Sequence, residues 1–268
     1  MIRLITIWLA LSITAASATP LAPAPDIGQA RALYAQGAFL RAAEEAAQIG
    51  TSDGLALAAR AMLAYAAYEA PEAEKPARLD AAEGFAREAL KRDPQNVEAM
   101  LHLVIALGYR ARLDGAIAAH FRHRGSEAAK LLKRALARAP DSGWVHAALG
   151  GWHAETVAAG GPLFARTLYG ASLGQAIANF ERALQLLPAD PVIRIEFAKA
   201  LLRTRPKKYA GRAQALLEEA QKLTPRDAFE RQVAKVGARI LAASNSLSPK
   251  QTRALIERLE PFHRAPRR

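Results

Sequence analysis

The sequence predicts an all-α fold, a solenoid of about five helical hairpins with a C-terminal capping helix. Three observations predict it. Hydrophobic residues make up 51% of the 268-residue chain, but aromatics only 6%, and much of the apolar fraction is alanine. Alanine favours helix and buries little area, whereas sheets want branched and aromatic side chains. A unit of small residue, three spacers, bulky residue, two spacers and alanine, with a proline five positions on, recurs along the chain. Its copies are Ala176/Phe180/Ala183/Pro188, Ala213/Leu217/Ala220/Pro225, Ala128/Leu132/Ala135/Pro140 and Ala82/Ala86/Ala89/Pro94. These offsets put three side chains on one helical face, and the proline ends the helix. Capping residues then mark the starts: Asp190-Pro191, Asp227 with Glu230, and Ser248-Pro249 with Gln251.

Taken in order, residues 1–18 read as a signal peptide, with Arg3 as the positive region, an apolar stretch from Leu4 to Ala16, and small residues at Ala16-Ser17-Ala18. The apolar run is 13 residues, short of the roughly 20 a membrane span needs. An uncleaved anchor is the alternative. Residues 19–26 form a Pro/Ala tether that proline keeps from being helical. The repeat domain covers 27–260, with hairpins at about 27–49, 53–92, 96–139, 143–187 and 190–224, a capping helix near 228–243 and a short helix near 249–260. Residues 261–268 are a basic tail.

The repeated unit resembles the second helix of the tetratricopeptide repeat, over roughly residues 27–225, and that resemblance implies a right-handed superhelical solenoid. Leu103, Leu149-Gly150 and Phe197-Ala198 fall where that family places a Leu-Gly pair in its first helix, and Gly37-Ala38-Phe39 marks a turn in a first repeat. A plain repeat has about 34 residues. Here the prolines are spaced by 46, 48 and 37, so the two middle repeats carry about 12 and 14 extra residues, around 111–124 and 156–171. Within the fourth repeat, Ala148–His153, Leu168-Tyr169-Gly170 and Ala176–Pro188 resemble the regulator of microtubule dynamics family, a tetratricopeptide-like group with bacterial relatives. That resemblance implies fold and insert placement. Tubulin binding is not carried over to an exported chain.

Charge is unevenly distributed. The formal net charge is +12, with 8 Lys/Arg against 11 Asp/Glu in residues 19–95 and 28 against 14 in residues 96–268. A basic surface can serve nucleic acid, anionic lipid or acidic polypeptide, and arginine enrichment by composition competes with all three. Export argues against nucleic acid. The chain has no cysteine, which excludes disulfides, thiolate chemistry and Cys-ligated zinc.

Motifs for chemistry are weak. Gly170-Ala171-Ser172-Leu173-Gly174 matches a hydrolase elbow, but no strand pattern precedes it, and Ser172 with Gln175 reads as a helix cap. His120 and His123 are three apart, yet lack a third ligand and sit among arginines. His146 and His153 read as packing residues beside Trp144 and Trp152. No cofactor motif is found, and an enzyme ranks third among the readings.

In tetratricopeptide arrays the first helices line a concave groove. The register places Leu101, Ile105 and Tyr109, then Trp144, Ala147 and Gly151, then Ile195, Lys199 and Arg203 along it. The groove reads as apolar and small-lined with a basic end. The inserts add Phe121 and Arg122, then Phe164, Arg166 and Tyr169. Insertions in solenoids often lie on the binding face, though these aromatics could instead pack the inserts together. The expected function is an exported scaffold, in a bacterial periplasm, binding a protein or peptide through Tyr109, Phe121, Arg122, Trp144, Phe164, Arg166, Tyr169, Lys199 and Arg203. The alternative is a basic module on anionic envelope lipid or polymer.

Overall fold

The computed structural model describes residues 26–115, 123–244 and 246–262. The signal segment, most of the tether, His120, Phe121, Arg122 and the end of the basic tail lie outside the described residues.

The described residues form twelve α-helices and no strand. Five hairpins follow one another: α1 (Ile27–Gln36) with α2 (Phe39–Ile49), α3 (Ser52–Tyr68) with α4 (Lys75–Arg92), α5 (Val97–Asp114) with α6 (Arg124–Arg138), α7 (Gly143–Tyr169) with α8 (Leu173–Leu186), and α9 (Pro191–Thr204) with α10 (Pro206–Gln221). Then come α11 (Ala228–Ser244) and α12 (Pro249–Leu259). Each helix packs on the next, and first helices also touch first helices of neighbouring hairpins, as an α-solenoid requires. Among the described residues no helix is long and apolar enough to cross a membrane.

The repeated unit sets the core. Every small, bulky and small position of the four copies is buried, from Ala82, Ala86 and Ala89 to Ala213, Leu217 and Ala220. Alanine at the outer positions lets the backbones approach, and the central residue, bulky in three of the four copies (Leu132, Phe180 and Leu217) and alanine at Ala86, fills the gap between hairpins. Phe180 of α8 stacks on Phe197 of α9, with ring centroids 4.9 Å apart and planes 10° from parallel, so the fourth and fifth hairpins share one core. Gly150 allows this: a Cβ there would come within 2.7 Å of the Phe180 ring.

Helix starts follow the capping chemistry. The side chains of Asp26, Thr51, Asn96, Ser142, Ser172, Asp190 and Ser248 each accept a backbone N–H of the helix that follows. Ser172 is thus a cap, with a helix rather than a strand before it. Ser248 and Gln251 make the reciprocal capping box.

Arginines tie successive hairpins together. From three second helices, one reaches back to the end of the preceding hairpin: Arg92 to the Gly50 carbonyl, Arg134 to the Pro94 carbonyl, and Arg182 to the Asp141 carboxylate. Part of the arginine excess is therefore committed to the repeat lattice.

The second insert differs from a simple connecting segment. It continues α7 to 27 residues, broken at Gly161 (φ 82°) and Pro162. A proline inside a helix removes a hydrogen bond and clashes with the preceding turn, which turns the last two helical turns aside.

Candidate functional site

The site is built on the inner faces of the first helices. Asn96 fixes where α5 begins. Its Oδ1 accepts from the Ala99 N–H at 2.9 Å, while its Nδ2 donates to Ser52 Oγ and Asp53 Oδ1 at 3.0 and 2.9 Å, pinning α5 to the start of α3. From that start, Leu101, Ile105, Tyr109 and Arg112 follow along α5 at helical spacing. Ser142 sets α7, and Asp190, which is buried and accepts from the Ile193 N–H at 3.0 Å, sets α9.

The groove is not open along its whole length, because the C-terminal helices lie in it. Gly237 of α11 packs where a Cβ would come within 2.8 Å of Ile195, so this groove position is fully buried. At the start of α11, Phe229 reaches between Tyr34 and Tyr68, with centroids 6.5 and 6.0 Å away. Arg60 lies over the Tyr34 ring and pairs with Asp227 at 3.8 Å. Arg231 donates to the Ala35 carbonyl at 3.4 Å. α11 therefore closes on the first hairpin.

Beyond α12 the chain places Glu260 and Phe262 against the groove's basic end. Phe262 is buried on Tyr109, ring centroids 4.8 Å apart, with Arg112 over the same tyrosine at 5.7 Å. Glu260 is buried and bridges Arg112 (2.5 Å) and Lys199 (2.9 Å). Lys199 also pairs with Glu196 at 2.8 Å, Arg112 with Glu155 at 2.9 Å, and Arg203 with Glu155. Three cations thus meet three carboxylates. Burial alone would raise the Glu260 carboxyl, but Lys199, Arg112 and Arg203 outweigh it and hold it down at about 2. Burial works against the Lys199 ammonium, yet Glu196 and Glu260 hold it above its ordinary range. Burial pushes the Tyr109 hydroxyl up to about 12.

The remaining sequence-selected residues separate into two groups. Trp144 keeps 40% of its surface exposed, as does Ile105, so the inner face retains an open apolar stretch on α5 and α7. Phe164 and Tyr169 pack on one another at 5.9 Å, with Tyr169 also edge-on to Trp152 at 6.4 Å and lying over Gly125 of α6. Arg166 is exposed. The structure brings together Tyr109, Lys199 and Arg203 through Glu155, Glu260 and Phe262, which the sequence reading missed. Glu155 was within reach of it, one turn beyond Gly151 on the same helical face. His153 is buried against Trp152, and His146 lies 2.9 Å from the Pro140 carbonyl and 3.1 Å from Asn179 Oδ1.

A second concavity of about 490 Å³ is lined by Asp80, Glu83, Gly84, Arg87, Arg110 and Arg124. Its charges are matched within the fold, Arg87 to Glu83 and Glu127, Arg124 to Asp114, and Arg110 to Asp80.

Fold and inner face together define a helical-repeat protein of the solenoid class, with Glu260 and Phe262 laid into its own groove. The chain belongs to the family described as regulator of microtubule dynamics protein 1-3, whose model matches residues 27–245. No curated protein matches it.

Proposed function

We propose that this chain is an exported scaffold of the tetratricopeptide type that binds a protein or peptide partner through its inner face and inserted edge, without catalysis. One observation carries the reading. Among the described residues five large hydrophobic side chains are exposed: Ile105, Trp144, Leu163, Leu168 and Leu247. Ile105 and Trp144 belong to the groove, and Leu163 and Leu168 to the second insert. Exposed apolar side chains scattered singly need no explanation, but their concentration on two features of one repeat array is the pattern of an interaction surface. The signal-peptide pattern of residues 1–18 supports export to a periplasm.

The test immobilises the chain from Thr19 onward and captures partners from envelope extract, alongside an Ile105→Ala/Trp144→Ala variant and a Leu163→Ser/Leu168→Ser variant. Leu163 is 80% exposed, so its change leaves stability within about 0.5 kcal/mol, whereas Ile105, Trp144 and Leu168 keep about half or more of their surface packed and their truncation costs some stability. Loss of the same captured species in either variant, measured well below its thermal midpoint, supports the reading. Capture indifferent to both pairs, or weakened in proportion to added salt alone, points to the charged surface instead.

A further inference from the structure

We propose that Glu260–Phe262 is a strap held in cis on a receptor site, whose external occupant is a peptide segment with a carboxylate followed two residues later by an aromatic ring. This rests on the reading of the inner face as a partner surface and names the partner's chemistry.

Charge is the first argument. Without Glu260, the cations Arg112, Lys199 and Arg203 face only Glu155 and Glu196. A buried excess positive charge is costly, so the site demands one carboxylate from whatever fills it. The site also has a donor to spare: the Arg203 Nε–H is buried with no acceptor. Shape is the second. The Tyr109 ring is completed by Phe262 on one side and approached by Arg112, so the aromatic subsite lies next to the anion subsite. The spacing of Glu260 and Phe262 reads the distance between them.

The strap is also separable from the fold. α12 stays docked through the buried Thr252 and Ile256, and it packs on α9, α10 and α11. The strap adds only three residues beyond it. Phe262 has φ 62°, a left-handed backbone that a bulky residue adopts only where its surroundings force it. Lifting the strap relieves that conformation and leaves the cap in place. A partner segment seated there would have the exposed Ile105 and Trp144 on the neighbouring inner faces for its flanking residues.

The probe is a fluorescein-labelled peptide copying residues 255–262, read by anisotropy against the full chain and against Glu260→Gln/Phe262→Ala, each verified as helical by circular dichroism. Occupancy in cis reduces apparent affinity by the fraction of chains with the site free. The double variant should therefore bind the peptide about tenfold or more tightly than wild type, and adding Arg112→Gln to it should abolish binding. A folded double variant that binds no better than wild type overturns the proposal. If the double variant does not fold, amide exchange of Glu260 and Phe262, the two strap residues that carry a backbone N–H, decides in the wild-type chain. Exchange about tenfold faster with excess peptide supports strap displacement, and unchanged exchange overturns it. Failure here with capture still dependent on Trp144 leaves the scaffold reading standing. Peptide binding with no such capture removes the scaffold reading and keeps the receptor site.

Discussion

His102, on α5, has both ring nitrogens buried without a hydrogen-bond partner. Burial first, and then Arg60, push its pKa down to about 3. The folded chain therefore keeps this imidazole neutral while the unfolded chain protonates it near pH 6.5. Between those values the unfolded state binds the extra proton, so stability falls as pH falls from about 6.5 toward 3. Urea midpoints of His102→Leu measured from pH 7 to pH 4 should show this part of the slope removed; an unchanged slope would reject the assignment. Glu260 acts in a lower window. Its folded pKa of about 2 lies below the ordinary carboxylate value, so its contribution is present above about pH 4.5 and is lost as pH falls toward 2. Glu260→Gln should cost on the order of 3 kcal/mol at pH 7, since removing one partner strands buried charge. The gap from wild type should close below pH 4.5, and a gap independent of pH would mean that packing, not ionisation, sets the cost.

At the scale of the helix, the repeated unit decides register. Ala183 of α8 is fully buried, and its carbonyl lies where a Cβ on Gly143 of α7 would come within 3.3 Å. Ala183→Leu should overpack this approach and cost about 1–3 kcal/mol, read as a lower denaturation midpoint; an unshifted midpoint would place Ala183 off the packed face. The hairpins were legible in the sequence for the same reason. Small residues at positions i and i+7 let a neighbouring helix approach, a bulky one at i+4 fills the space between, and the proline five positions on stops the helix. The second insert was legible as extra length but not as helix, because Gly160-Gly161-Pro162 reads as a break. The chain instead kinks there and resumes, with the Phe164 ring over Gly160.

Over the whole molecule, what the sequence concealed is the contact of α11 with the first hairpins. Tyr34 with Phe229, Arg60 with Asp227 and Ala35 with Arg231 join residues far apart in the chain, and no local period encodes them. Lys199 and Arg203 read as a free basic end because Glu260 belongs, by sequence, to the close of a separate short helix. In the fold that helix carries Glu260 back onto them. The inner face is thus divided into a sealed part under α11, a charged end filled by Glu260 and Phe262, and an apolar stretch left open at Ile105 and Trp144. This closure follows from a solenoid coiling far enough for α11 to meet α1. The chain has no cysteine, so one introduced pair tests it without background. Ala35 and Arg231 are both exposed and adjoin across the closure. Ala35→Cys/Arg231→Cys, treated with a short bifunctional maleimide at low protein concentration, should give a cross-link within one chain, and pre-incubation in urea should abolish it. A native chain that yields no intramolecular product, while each single cysteine reacts freely, would contradict the closure.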